Sequence, residues 1–127
     1  MTGTNDIGAI EGVIQTYLDG LYENDAEKLA SIFHPTSALT SLTKDGEVVV
    51  TPRDTWLDMV RKRQSPKLQG LAREDQVLTI DLVGSEMAFV KLKCQIPPRY
   101  FTDQLSLLKI EGRWQIAQKV FVAEVRE

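Results

Sequence analysis

Residues 101–121 read FTDQLSLLKIEGRWQIAQKVF, and this stretch decides the fold. Phe101, Asp103, Leu105 and Leu107 alternate with Thr102, Gln104 and Ser106, the period of two that marks a strand with one wet face. Glu111-Gly112 supplies the glycine that a tight turn needs, and Arg113 to Val125 runs back as a second strand. A long β-hairpin therefore closes the chain. Its register has two readings. With two turn residues and no irregularity, Asp103 shares a face with Trp114, Ile116, Gln118 and Val120, and Lys119 points outward. With one bulge residue, Lys119 stands opposite Asp103 instead. The first register gathers more apolar residues on one side and is the expectation adopted. It leaves Leu108, Lys119 and Phe121 on the outer face as interface members.

The alternation continues upstream. Val90, Leu92, Cys94 and Ile96 alternate with Lys91, Lys93 and Gln95, and Pro97-Pro98 ends that strand. Leu78, Ile80 and Leu82 alternate with Val77, Thr79 and Asp81, with Gly84-Ser85 as a two-residue hairpin. Before Glu74 the period changes. Ile10, Val13, Ile14, Tyr17, Leu18 and Leu21 share one helical face, capped by Asn5 or Asp6. Asp25 caps a second, shorter helix carrying Leu29, Ile32 and Phe33, and His34-Pro35 closes it. Strands at Ser37–Leu42 and Glu47–Val50 flank the turn Lys44-Asp45-Gly46. Thr51-Pro52-Arg53-Asp54 opens a third helix with Trp56, Leu57 and Val60 inward, and the basic Arg61, Lys62 and Arg63 suit its C-terminal dipole. Helices segregated from a largely antiparallel sheet mean an α+β domain, and residues 1–127 read as one such domain.

Composition narrows the classes. At 43% hydrophobic and 26% charged the chain is an ordinary globular sequence. A net charge of −3 without a basic, aromatic-interleaved cluster argues against nucleic-acid binding. No apolar run reaches membrane-spanning length. Met1–Asp6 carries no basic and then apolar leader, so a cytoplasmic location is expected. The single cysteine, Cys94, allows no intrachain disulfide and reads as an inert core thiol. One histidine and no metal-ligand spacing argue against a metal site. Serine-nucleophile, phosphate-loop and dinucleotide motifs are missing, so no cofactor is expected.

The helix-helix-Phe33-His34-Pro35 start, together with Phe101–Lys109, Gly112-Arg113-Trp114-Gln115-Ile116 and Lys119-Val120-Phe121, resembles the nuclear transport factor 2-like superfamily, which includes polyketide-cyclase (SnoaL-like) and ketosteroid-isomerase branches. The C-terminal motif is similar to its lumazine-binding branch. The resemblance covers nearly the whole chain. It implies a cone-shaped, strongly curved mixed sheet packed against three helices from the N-terminal half, a cavity on the concave side, and often a homodimer.

Within that frame Asp103 is the foremost candidate. An acid among Phe101, Leu105 and Leu107 is desolvated if their face is concave, which raises a carboxyl group's pKa and suits it to proton transfer or ligand binding; the structural alternative is a loop cap or an ion pair. Gln118 becomes a pocket amide in the adopted register. His34 either stands at the pocket mouth or caps the preceding helix. Tyr17 is the nearest match to the first-helix tyrosine that donates to substrate in ketosteroid-isomerase relatives. Pro35–Leu39 offers no acid where that branch carries its base, so core packing is the competing role. Trp56, Phe101 and Trp114 are large enough to wall a cavity or stack on a planar ligand. Three functions follow: a pocket for a largely apolar planar small molecule, a cofactor-free cyclase or isomerase using Asp103, or an interaction module whose pocket is plugged by side chains.

Overall fold

The computed structural model describes residues 5–126. Three helices precede most of the sheet: α1 (Asp6–Glu23), α2 (Ala26–Ile32) and α3 (Arg53–Lys62). The strands are β1 (Ala38–Leu42), β2 (Val48–Pro52), β3 (Gln76–Val83), β4 (Met87–Ile96), β5 (Arg99–Ile110) and β6 (Arg113–Val125). They form one mixed sheet in the order β2-β1-β6-β5-β4-β3. β3 to β6 is an antiparallel meander; β1 joins β6 in parallel, and β2 extends the edge antiparallel to β1.

The alternating residues do what their period demands. Ala88, Val90, Leu92 and Cys94 of β4 and Asp103, Leu105 and Leu107 of β5 are all buried on the concave face. Ile10, Ile14, Tyr17 and Leu18 of α1, Leu29 of α2 and Trp56, Leu57 and Val60 of α3 close over them. Tilted rings join the three helices: Tyr17 to Phe33 at 5.8 Å and Phe33 to Trp56 at 5.1 Å between centroids. At Gly20, where α1 meets α2, an added Cβ would lie 2.8 Å from Leu29 Cδ2, so glycine permits the close approach.

Capping differs from expectation in detail. The Asp25 side chain accepts from the Lys28 N–H, as its spacing requires. Neither Asn5 nor Asp6 makes a side-chain cap on α1. Asp6 instead accepts from the Trp114 indole at 3.0 Å and pairs with Lys109 at 3.1 Å, tying the start of α1 to the far hairpin. Those partners, the indole first, hold its carboxyl below the usual range. Thr51 lies in β2, and Pro52 takes the position before α3. The Gly84 turn is one residue longer than expected, since Val83 pairs with Met87.

The last hairpin carries the main correction. Its turn does have two residues, Glu111 at φ 50° and Gly112 at φ 80°, between the pair Ile110 and Arg113. However, Leu107 pairs with Ile116 while Ser106 pairs with Gln118. Ala117 is therefore the extra residue of a β-bulge, and beyond it every side chain of β6 changes face. Trp114 and Ile116 are inward as expected. Past the bulge Lys119 and Phe121 face the concave side, whereas Gln118 and Val120 face out. Among the described residues no helix is long and apolar enough to cross a membrane.

Candidate functional site

The concave face and helices enclose a cavity of about 280 Å³. Its inner end is built by strands. Asp103 is 1% exposed and shares its face with Phe101, while Lys119 and Phe121 reach the same space from β6 because of the bulge. Leu39 of β1, Cys94 of β4, Leu18 of α1 and Trp56 of α3 complete the apolar wall. The outer part is framed by the 64–75 segment, which is strapped to α1: Tyr22 donates to the Leu71 carbonyl at 2.9 Å, and Arg73 pairs with Asp19 at 2.8 Å. Asn24 closes the opposite corner by donating to the carbonyls of Val60 and Arg63, both at 3.0 Å.

Asp103 collects partners from three elements. The Tyr17 hydroxyl donates to its Oδ2 at 2.5 Å, and the Cys94 thiol approaches the same oxygen at 3.7 Å. Lys119 Nζ stands 3.7 Å from Oδ2, an ion pair looser than a hydrogen bond. Its ammonium is also 4.8–5.3 Å from the ring centroids of Phe121, Tyr17 and Trp56, within the range of cation–π attraction. Oδ1 is buried and has no hydrogen-bond partner among the described residues. Native proteins seldom leave a buried oxygen so. Burial first, then the carboxylate of Asp103, pushes the Tyr17 hydroxyl well above its ordinary value, so it stays a proton donor. Burial likewise pushes the Cys94 thiol up and keeps it protonated.

The other expected site residues divide. Trp56 and Phe101 line the cavity. Tyr17 is fully buried and meets the site through its hydroxyl bond to Asp103 and its ring beside Lys119. Trp114 does not line the cavity: its indole belongs to Asp6 at the other end of the sheet. Gln118 is not a pocket amide, because the bulge turns it out to Thr40. His34 stands away from the cavity, its Nδ1 2.7 Å from the Thr36 hydroxyl, and it caps no helix carbonyl. Lys119, Phe121 and Cys94 are cavity residues that the adopted register or an apolar reading had set aside. Arg63, expected only to suit the dipole of α3, and Arg99, for which the sequence suggests no role, stand at the rim. The cavity is not plugged by side chains, as an interaction module would require.

Residues 5–122 match the model of the family described as "Putative lumazine-binding", so the chain belongs to that family. Among curated proteins none matches the sequence. Solved structures share the fold at low identity. A nuclear transport factor 2-like protein of unknown function from Shewanella baltica superposes with a TM-score of 0.85 at 22% identity, with 99% of each chain covered. Another, from Silicibacter pomeroyi, gives 0.81 at 21% identity, covering 98% of this chain and all of the other. A ketosteroid isomerase-like protein from Erwinia carotovora gives 0.75 at 14% identity, again over 98% of this chain. The expected α+β fold and the lumazine-binding family hold.

The two raised acids set a pH dependence. Their unfolded values are the ordinary 10.0 for tyrosine and 9.0 for cysteine, and the folded values lie higher. The native state thus keeps protons that the unfolded chain releases. This contribution is whole below about pH 9 and falls by about 1.4 kcal/mol per pH unit for each group once pH exceeds its unfolded value. Tyr17→Phe should remove the tyrosine part of that slope in urea melts between pH 9 and 11. At neutral pH it should cost about 1–3 kcal/mol, the penalty for leaving a buried oxygen without its donor. An unchanged alkaline slope would contradict the burial of Tyr17 as a protonated hydroxyl beside Asp103.

Proposed function

We propose, with membership of the lumazine-binding family as the premise, that the cavity binds a planar, largely apolar heterocycle whose polar edge meets Asp103 and Lys119. The observation that carries this reading is the orphan Oδ1 of Asp103 beside an ammonium whose nearest carboxylate oxygen is 3.7 Å away. Together they offer one acceptor and one donor to a ligand that displaces the side chains now covering them. A ring edge with N–H next to C=O, as in the pteridine-dione lumazine, is the complement: the N–H donates to Oδ1 and the carbonyl accepts from Nζ. Trp56, Phe101 and Phe121 supply ring faces, and small-molecule sites are commonly apolar with a few placed polar groups.

Acid–base catalysis by Asp103 draws on the same orphan oxygen, which could take a proton from a bound substrate. It is the second reading, because Oδ2 is already engaged by Tyr17, Cys94 and Lys119 and serves first to hold the group in place. The protein is further proposed to pair as a homodimer through the outer face of the sheet. Lys119 and Phe121 cannot contribute there; Leu108, Val120 and Val122, which are 41%, 46% and 59% exposed, can.

Titrating lumazine into the protein should quench Trp56-dependent fluorescence and give a saturable isotherm. Asp103→Asn, which keeps shape but replaces a carboxylate oxygen by an amide, should weaken binding by roughly tenfold or more. No saturable binding to the wild-type protein, or equal affinity in the variant, would defeat the reading. Light scattering during size-exclusion chromatography should give twice the chain mass, and Val122→Lys should return it to the monomer value. A wild-type monomer would dispose of the dimer.

A further inference from the structure

We infer that the ligand of this cavity carries an acid group, a carboxylate or a phosphate, which Arg63 and Arg99 hold at the rim. This rests on the pocket reading above and adds the charge of its ligand.

Three arginines line the cavity: Arg63, Arg73 and Arg99. Arg73 is satisfied by the protein, 2.8 Å from both Asp19 and Asp75. Arg63 and Arg99 have no carboxylate within ion-pair distance among the described residues, although Arg53, Arg61 and Arg126 each find one. Arg113 also has no carboxylate partner among the described residues, but it stands at the exposed hairpin turn and does not line this cavity. Partial burial at the cavity mouth, and then the nearby charge of Arg99, lower the pKa of Arg63. Two like charges side by side in a chain of net charge −3 leave a local field with no counterion among the described residues.

Their placement points them at a bound molecule. Arg99, Phe101 and Asp103 occupy one face of β5, from the exposed start of the strand to the buried floor. At a rise of roughly 3.3 Å per residue, the Cα atoms of Arg99 and Asp103 are about 13 Å apart. Arg99 Cζ lies 5.9 Å from the Phe101 ring centroid, so its guanidinium leans over the aromatic wall. Arg63 follows directly after α3, where the bond from Asn24 to its carbonyl fixes its backbone. A planar body lying along Phe101, with its polar edge at Asp103, would bring an acid substituent at its opposite end to these two guanidiniums. The planar fork of arginine matches carboxylate and phosphate oxygens.

Three probes with the same pteridine-dione body separate the possibilities: lumazine carrying at C6 a carboxylate, a phosphate ester on a methylene, or a neutral carboxamide, titrated calorimetrically at low salt. The wild-type protein should bind at least one anion roughly tenfold tighter than the amide. The tighter of the two anions identifies the acid group. That ratio should fall to about one in the double variant Arg63→Gln, Arg99→Gln, and should persist in Arg113→Gln. Both rim residues are exposed, so the double variant should fold, which its melting curve verifies. If the amide binds as tightly as the anions, the inference fails and the pocket reading stands. If the preference survives in the double variant, Arg63 and Arg99 are not its source. If none of the three binds, both readings fall.

Discussion

A carboxyl group buried at the centre of the concave face must be given partners or it destabilises the fold. Asp103 is that group, and the architecture is arranged to answer it. α1 contributes the Tyr17 hydroxyl, β4 the Cys94 thiol, and β6 the Lys119 ammonium. Each reaches Oδ2 because of a particular local feature. Tyr17 lies on the buried stripe of α1. Cys94 is the diagonal neighbour of Asp103 across the β4–β5 ladder. Lys119 is inward because Ala117 is extra.

The bulge is thus the link between local chain geometry and the make-up of the cavity. Without it β6 would continue its alternation, placing Gln118 and Val120 inside and Lys119 in solvent. With it, the floor of the cavity has a cation, and that cation rests among three rings as well as beside the carboxylate. An ammonium held this way has attraction from several directions to offset its lost hydration. The same change of face strips Lys119 and Phe121 from the outer surface and leaves Val120 and Val122 there.

Much of this was legible in residue order. The period of two in 87–110, the helical spacing of Ile10, Ile14 and Tyr17, the Asp25 cap and the Gly112 turn each act through near neighbours, and each fixes an element. Asp103 stood out because an acid broke an apolar series. The bulge was not legible, since a single extra residue leaves both Trp114-Ile116 and Lys119-Phe121 as plausible inward pairs. Choosing between them requires Tyr17 and Trp56, which arrive from other elements. Arg63 read as a charge for the end of α3, and only folding carries it to the rim near Arg99, 36 positions along the chain. Trp114 read as a cavity wall because size and periodicity say nothing about which end of a sheet an indole serves.

On the binding proposal, Asp103 Oδ1 and Lys119 Nζ form the polar end of a binding site and not only a buried ion pair. A crystal structure of the protein grown with lumazine tests it most directly. A planar molecule is expected in the cavity, with a ring nitrogen about 2.7–3.2 Å from Oδ1 and a carbonyl oxygen at similar distance from Nζ. A cavity empty of ligand, with Lys119 hydrogen-bonded directly to both carboxylate oxygens, would contradict it.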